Sequence, residues 1–187
     1  MKKMTWNALL LACMFAAVSC NTSSDNDSKD AAEEQNEATF DDSNMEDDAE
    51  FAVAAADGGM MEVQLGELAQ SKGSSQAVKD FGKMMADDHG KANTELKALA
   101  QQKNITLPTT LSDKSQKMYD DLSKKTGKDF DKDYMSHMVD DHKDDIDKFQ
   151  KQADNGNDPD LKSWAANKVP TLKQHLEKAQ SVRDAVK

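Results

Sequence analysis

Seven positions spaced by threes and fours, Val78, Phe81, Met85, His89, Ala92, Leu96 and Leu99, constrain this chain more than any other feature. Such spacing places one side chain per turn on a single face of a long α-helix, and no strand reading accommodates it. A second stripe, Phe130, Tyr134, Met138, His142, Ile146 and Phe149, has the same rhythm. The two even share a motif: Met85-Ala-Asp-Asp-His89 returns as Met138-Val-Asp-Asp-His142. In each copy a His occupies a position where a helix buries carbon.

Two further stripes complete the set. Phe51, Ala55, Gly58, Glu62, Leu65 and Ala69 define a helix over about 47–72, interrupted by Gly58-Gly59, which calls for a kink or a closely approaching neighbour. Leu161, Trp164, Ala165, Leu172, His175, Ala179 and Val182 define the last helix, introduced by Asp158-Pro159 and expected to bend at Pro170. Short breaks at 73–75 and 154–158 make two antiparallel hairpins. The segment 104–127 is longer: after Pro108, Ser112 caps a helix of roughly 14 residues that Gly127 ends. Helix and extended segment together can run back along the bundle, letting the third long helix start from the same end as the first. The fold class expected is all-α, a ferritin-like four-helix bundle over 47–187 with a short extra helix in the crossover between helices 2 and 3.

Charge then separates the ends from the bundle. The net charge of −11 is concentrated in residues 21–50, where 12 Asp and Glu face the single Lys29, whereas 51–187 has 23 acids against 21 bases. With no basic patch, nucleic acid is not an expected partner. Residues 20–46 hold little apolar bulk beyond Phe40 and Met45 and are expected to be a disordered tether. Before them, Lys2 and Lys3 precede an apolar run over 8–18, the plan of a signal peptide over 1–19. Ala17-Val18-Ser19-Cys20 resembles a bacterial lipobox, which makes Cys20 the lipidated residue and a membrane the expected partner. The location expected is the bacterial cell envelope, as a lipoprotein on the periplasmic side of the outer membrane or at the cell surface. Cys13 lies in the removed segment, so no disulfide is expected within the bundle.

Each long helix thus carries one ionisable residue on its apolar stripe: Glu62, His89, His142 and His175. Counted from the hairpin turns, the members of each pair agree in height to within roughly 6–8 Å, so all four can share a layer. A lone buried His is commonly a hydrogen-bonded packing residue. Four such groups in one dry layer are costly unless something satisfies them, and imidazole with carboxylate suits Fe, Mn, Zn or Cu. Met85 and Met138 read as core fillers that would favour copper if they were ligands. Asp88, Asp141 and Asp145 flank the His residues as outer partners or as solvated faces, and Tyr134 is a further secondary candidate. The set is poor in carboxylate and has no Glu-x-x-His, which speaks against ferroxidase or oxygenase chemistry. No Ser lies in an elbow motif, so a nucleophilic hydrolase has no support either.

Several segments in order resemble a bacterial family, the ferritin-like "domain of unknown function 4142" proteins. The resemblance spans about 51–182 and rests on Gly59-Met60-Met61-Glu62-Val63, Met84-Met85-Ala86-Asp87-Asp88-His89 with Ala92-Asn93, and Leu96-Lys97-Ala98-Leu99-Ala100. It continues through Phe130-Asp131, Tyr134, Val139 to His142, and Pro170-Thr171-Leu172 with His175-Leu176. It implies a ferritin-like bundle in an exported protein and supplies no activity. Two other functions therefore stay open beside metal binding: a metal-free envelope interaction or stress protein with a structural His cluster, and a metal-dependent redox enzyme.

Overall fold

A computed structural model describes residues 27–41 and 44–187. The chain is all-α within these residues, in the order α1 (Ser28–Phe40), α2 (Glu46–Lys72), α3 (Gln76–Lys103), α4 (Asp113–Ser123), α5 (Gly127–Asn155) and α6 (Pro159–Val186). The four long helices are those expected, and they pack as a bundle of two antiparallel hairpins, α2 with α3 and α5 with α6.

The hairpins meet at both ends. Gly73, after α2, pairs with Gly127, the first residue of α5, in an isolated parallel bridge. Beside it the buried Asp131 carboxylate of α5 accepts the backbone N–H of Ser74 at 2.9 Å and of Ser75 at 2.8 Å. Ser75 itself makes no side-chain cap, so this carboxylate supplies the acceptor that the α3 start requires. At the other end, Asp48 near the start of α2 accepts from Gln152 Nε2 and from the N–H groups of Asn157 and Asp158. Hence α5 starts where α2 ends, opposite to the expected start at the first helix's own beginning. The segment 104–126 runs the length of the bundle to make this connection.

Asp57 anchors that crossover. Its carboxylate accepts from Ser112 N, Ser112 Oγ and Ser115 Oγ, each at 2.7 Å. Ser112 caps α4 as expected, accepting from Ser115 N. Gly127 does not end α4; it opens α5 at φ +62°, a conformation that suits glycine.

The expected tether needs correction. Residues 28–40 form α1, with Asp27 capping its start and Ala32 and Asn36 buried. Asn36 Nδ2 donates to the Thr106 carbonyl and Asn36 Oδ1 accepts from Thr106 N, both at 2.8 Å. Asp27 Oδ2 and Ser28 Oγ accept from the N–H groups of Asp113 and Thr109. Hydrogen bonds to the crossover, rather than an apolar stripe, seat this helix. The signal-peptide and Cys20 expectations lie outside the described residues. Among the described residues, no helix is long and apolar enough to cross a membrane.

The backbones of α2 and α3 approach closely at Gly66 and Gly82, where a Cβ on either would lie 2.5–2.6 Å from the other's carbonyl oxygen. Gly59 is covered by the Asn93 side chain, and Gly58 faces open space. The α6 helix is continuous through Pro170, whose ring is exposed. The apolar core divides into blocks. Leu65, Phe81, Met85, Phe130, Tyr134 and Met138 pack towards the Gly73 end, while Leu96 with Leu161 and Phe149 with Leu172 form clusters towards the other end. Glu62, His89, His142 and His175 sit between.

Candidate metal centre

The layer brings together every stripe residue that the sequence singled out. The ring centroids of His89, His142 and His175 form a triangle with sides of 5.7, 5.4 and 5.4 Å. All three are buried, and one ring nitrogen from each lies within 4.8 Å of the others. They come from three helices, α3, α5 and α6.

Each ring is held from behind by an oxygen. Nδ1 of His89 lies 2.6 Å from Oε2 of Glu62. Nδ1 of His142 lies 3.0 Å from the carbonyl of Met138, one turn earlier on α5. Nε2 of His175 lies 2.9 Å from Oδ2 of Asp88, on α3. A carbonyl or carboxylate oxygen accepts, so the nitrogen facing it carries the ring proton. The opposite nitrogens, Nε2 of His89, Nε2 of His142 and Nδ1 of His175, are then bare lone pairs. These same three atoms are buried with no hydrogen-bond partner among the described residues.

Electrostatics keep the rings neutral. Burial lowers the pKa of His89 and of His175, and burial together with the two neighbouring imidazoles takes His142 down to about 3. Three buried, uncharged imidazoles that bring one nitrogen each to within 4.8 Å of the others, and that each keep one unpartnered nitrogen among the described residues, are a donor set suited to a Lewis acid. The oxygens behind them fix tautomer and orientation, as outer partners do in His metal sites.

Glu62 therefore belongs to the layer through the far nitrogen of His89 rather than beside the three bare ones. Its other oxygen, Oε1, is 3.6 Å from Nδ1 of His142, too far for a hydrogen bond, and has no hydrogen-bond partner among the described residues. The expectation that the set is poor in carboxylate is corrected here: oxygens of Glu62, Asp141 and Asp145 lie within 4.8 Å of one another. Burial raises the pKa of all three, well above the usual range for Glu62 and Asp141, and their mutual charge adds to the effect on those two. Asp88, read as an outer partner or a solvated face, serves as a partner to His175 across the helix interface, not to its neighbour His89. Spacing alone could not reveal this.

The secondary candidates separate. The Met85 and Met138 side chains lie in the apolar cluster, and Met138 serves the site through its carbonyl. The Tyr134 ring packs against those of Phe81 and Phe130, and its hydroxyl is buried without a hydrogen-bond partner among the described residues. Burial, with the nearby Glu62 charge, raises its pKa. His137, one turn and a half before His142, stands apart from the cluster. A cleft between α3 and α6, lined by Asp88, His89, Lys168, Thr171, Leu172 and His175, reaches the layer from solvent.

Comparison with known proteins agrees with this frame. The profile of the family described as "Domain of unknown function (DUF4142)" matches residues 29–182. The chain belongs to this family. The DUF4142 match begins at the start of α1, consistent with that helix being part of the domain and not of a tether. No curated protein and no solved structure matches the chain. The DUF4142 family carries no assigned activity in its description.

Proposed function

We propose that this DUF4142 protein is a ferritin-like bundle that holds a transition-metal ion at His89, His142 and His175. The observation that carries the reading is three buried imidazoles with one nitrogen each within 4.8 Å of the others, every ring backed by an oxygen on one nitrogen and left without a partner among the described residues on the other. Nitrogen donors suit Zn, Cu or Fe better than the harder Mn. Three protein ligands leave a coordination position for water or a small molecule, and the α3–α6 cleft leads to it. The long crossover, with α5 starting where α2 ends, supports the ferritin-like arrangement.

The setting we propose is the bacterial cell envelope, with Cys20 lipidated and the bundle held at a membrane. Lys2 and Lys3, the apolar run over 8–18 and Ala17-Val18-Ser19-Cys20 support it. Loss of the chain from the membrane fraction on Cys20→Ser is the expected outcome, and unchanged fractionation would refute the anchor.

The metal reading is tested on the Cys20→Ser chain purified without chelator. One equivalent of metal per chain is expected, with a rise in melting temperature on loading, and both should be lost in His142→Ala. At a free metal concentration 100 times Kd the gain is about 2.7 kcal/mol. Trace metal together with a melting temperature indifferent to Zn, Cu and Fe would overturn it.

A further inference from the structure

Next to the imidazoles lies a donor set of a different kind. Glu62 on α2 and Asp141 and Asp145 on α5 bring one carboxylate oxygen each to within 4.8 Å of the others. Asp141 and Asp145 are four residues apart on one helix, a like-charge spacing that by itself disfavours the helix by a few tenths of a kcal/mol. Both face a third carboxylate that is 1% exposed. The nearest compensation is Lys148, whose Nζ is 3.4 Å from Asp145 and whose side chain is mostly solvent-exposed. Glu62 is the decisive member: Oε2 is engaged by His89, while Oε1 is fully buried with no hydrogen-bond partner among the described residues. A buried carboxylate oxygen with nothing donating to it is expensive, and two acidic side chains with oxygens within 4.8 Å of the same carboxylate compound the cost.

We propose that Glu62, Asp141 and Asp145 form a second cation subsite that takes a hard, oxygen-seeking divalent ion such as Mn2+. The donors are oxygen only, where the neighbouring set is nitrogen only, and this difference sorts ions by class. Three carboxylates carry more than the charge needed to neutralise a divalent ion, and water completes its shell. Glu62 touches both sets, so the layer is a mixed two-ion centre: a nitrogen-held ion towards the α3–α6 cleft and an oxygen-held ion between α2 and α5. The oxygen subsite goes beyond the three-His reading and does not require it, because Asp141 and Asp145 contribute nothing to the imidazole lone pairs.

Two probes separate the sets in the purified Cys20→Ser full-length chain. Co2+ held by three imidazoles in a four-coordinate site absorbs strongly in the visible, whereas Co2+ among carboxylates and water absorbs weakly. Mn2+ binding is read by loss of its free-ion EPR signal. Wild-type chain preloaded with Co2+ is expected to take up one further equivalent of Mn2+ with the visible band retained. Asp145→Asn and Asp141→Asn are each expected to weaken Mn2+ binding by on the order of tenfold or more while leaving the Co2+ band in place. That retained band also shows that the variants fold. Absence of Mn2+ uptake by the wild type, or uptake unaffected by both substitutions, would overturn the subsite. If instead no visible band forms but Mn2+ uptake depends on Asp145, the three-His reading fails and the oxygen subsite stands.

Discussion

Oε2 of Glu62 and Nδ1 of His89, 2.6 Å apart, join α2 to α3 at a level of the bundle where carbon gives way to polar atoms. This contact settles the tautomer of His89, uses one oxygen of Glu62 and leaves the other bare. Replacing Glu62 with Gln keeps the shape and removes the charge. Two opposite effects are expected. The metal-free form should gain on the order of 1–2 kcal/mol at neutral pH, because a buried unpaired charge is gone. Co2+ affinity at the imidazoles should fall by roughly 10–100-fold, the usual effect of losing an outer carboxylate. Urea unfolding and Co2+ titration of the same variant check both, and a destabilised apo form would contradict the first.

Acid should weaken the metal-free bundle through His142. Its folded pKa of about 3 lies below the unfolded value of about 6.5, so the unfolded chain binds the extra proton between those limits. The contribution is present above about pH 6.5 and is lost as pH falls towards 3. Glu62, Asp141 and Asp145 act in the other direction: their raised pKa values favour folding near pH 4 and lose that contribution as pH rises. Urea midpoints across pH 3.5–7.5 should therefore show a steeper acid limb in wild type than in His142→Leu.

These titrating residues also mark where sequence reading ends. The apolar stripes located the four long helices to within a residue or two, because burial on one face leaves a strong periodic signal. The same stripes exposed Glu62, His89, His142 and His175, since an ionisable group is conspicuous among carbons. Partners across a helix interface leave no such mark. Asp88 serves a His 87 residues away, while Asp141 and Asp145 meet Glu62 from another helix. In sequence all three resemble any solvated face. The α1 helix escaped for a related reason. It buries one Ala and one Asn and is fastened by hydrogen bonds, so neither periodicity nor apolar content announces it.

Asn36 tests that fastening. Its amide makes two hydrogen bonds to the Thr106 backbone, one donated and one accepted. Asn36→Ala should cost about 1–3 kcal/mol and raise amide exchange across both α1 and residues 104–112. Exchange confined to α1 would show that the helix leans on the crossover without stabilising it.

Close helix contact gives a steric test with an internal control. A Cβ at Gly66 would stand 2.5 Å from the Gly82 carbonyl oxygen, so Gly66→Ala should force α2 and α3 apart and cost about 1–3 kcal/mol. Nothing lies within 4 Å of the corresponding position at Gly58. Gly58→Ala should stabilise by about 0.5–1 kcal/mol through helix propensity alone. Denaturant midpoints of the two variants are expected to move in opposite directions.

The division of the layer between hairpins would set the order of events at the proposed metal site. Glu62 and His89 belong to the α2–α3 pair, His142 and His175 to the α5–α6 pair, and the crossover between them spans more than twenty residues. Neither hairpin alone completes either donor set, because His89 and Glu62 come from one and the remaining members from the other. An ion held as proposed would load only after the two halves dock and would act as a rivet across their seam, so that prising the halves apart and releasing the metal would become a single event.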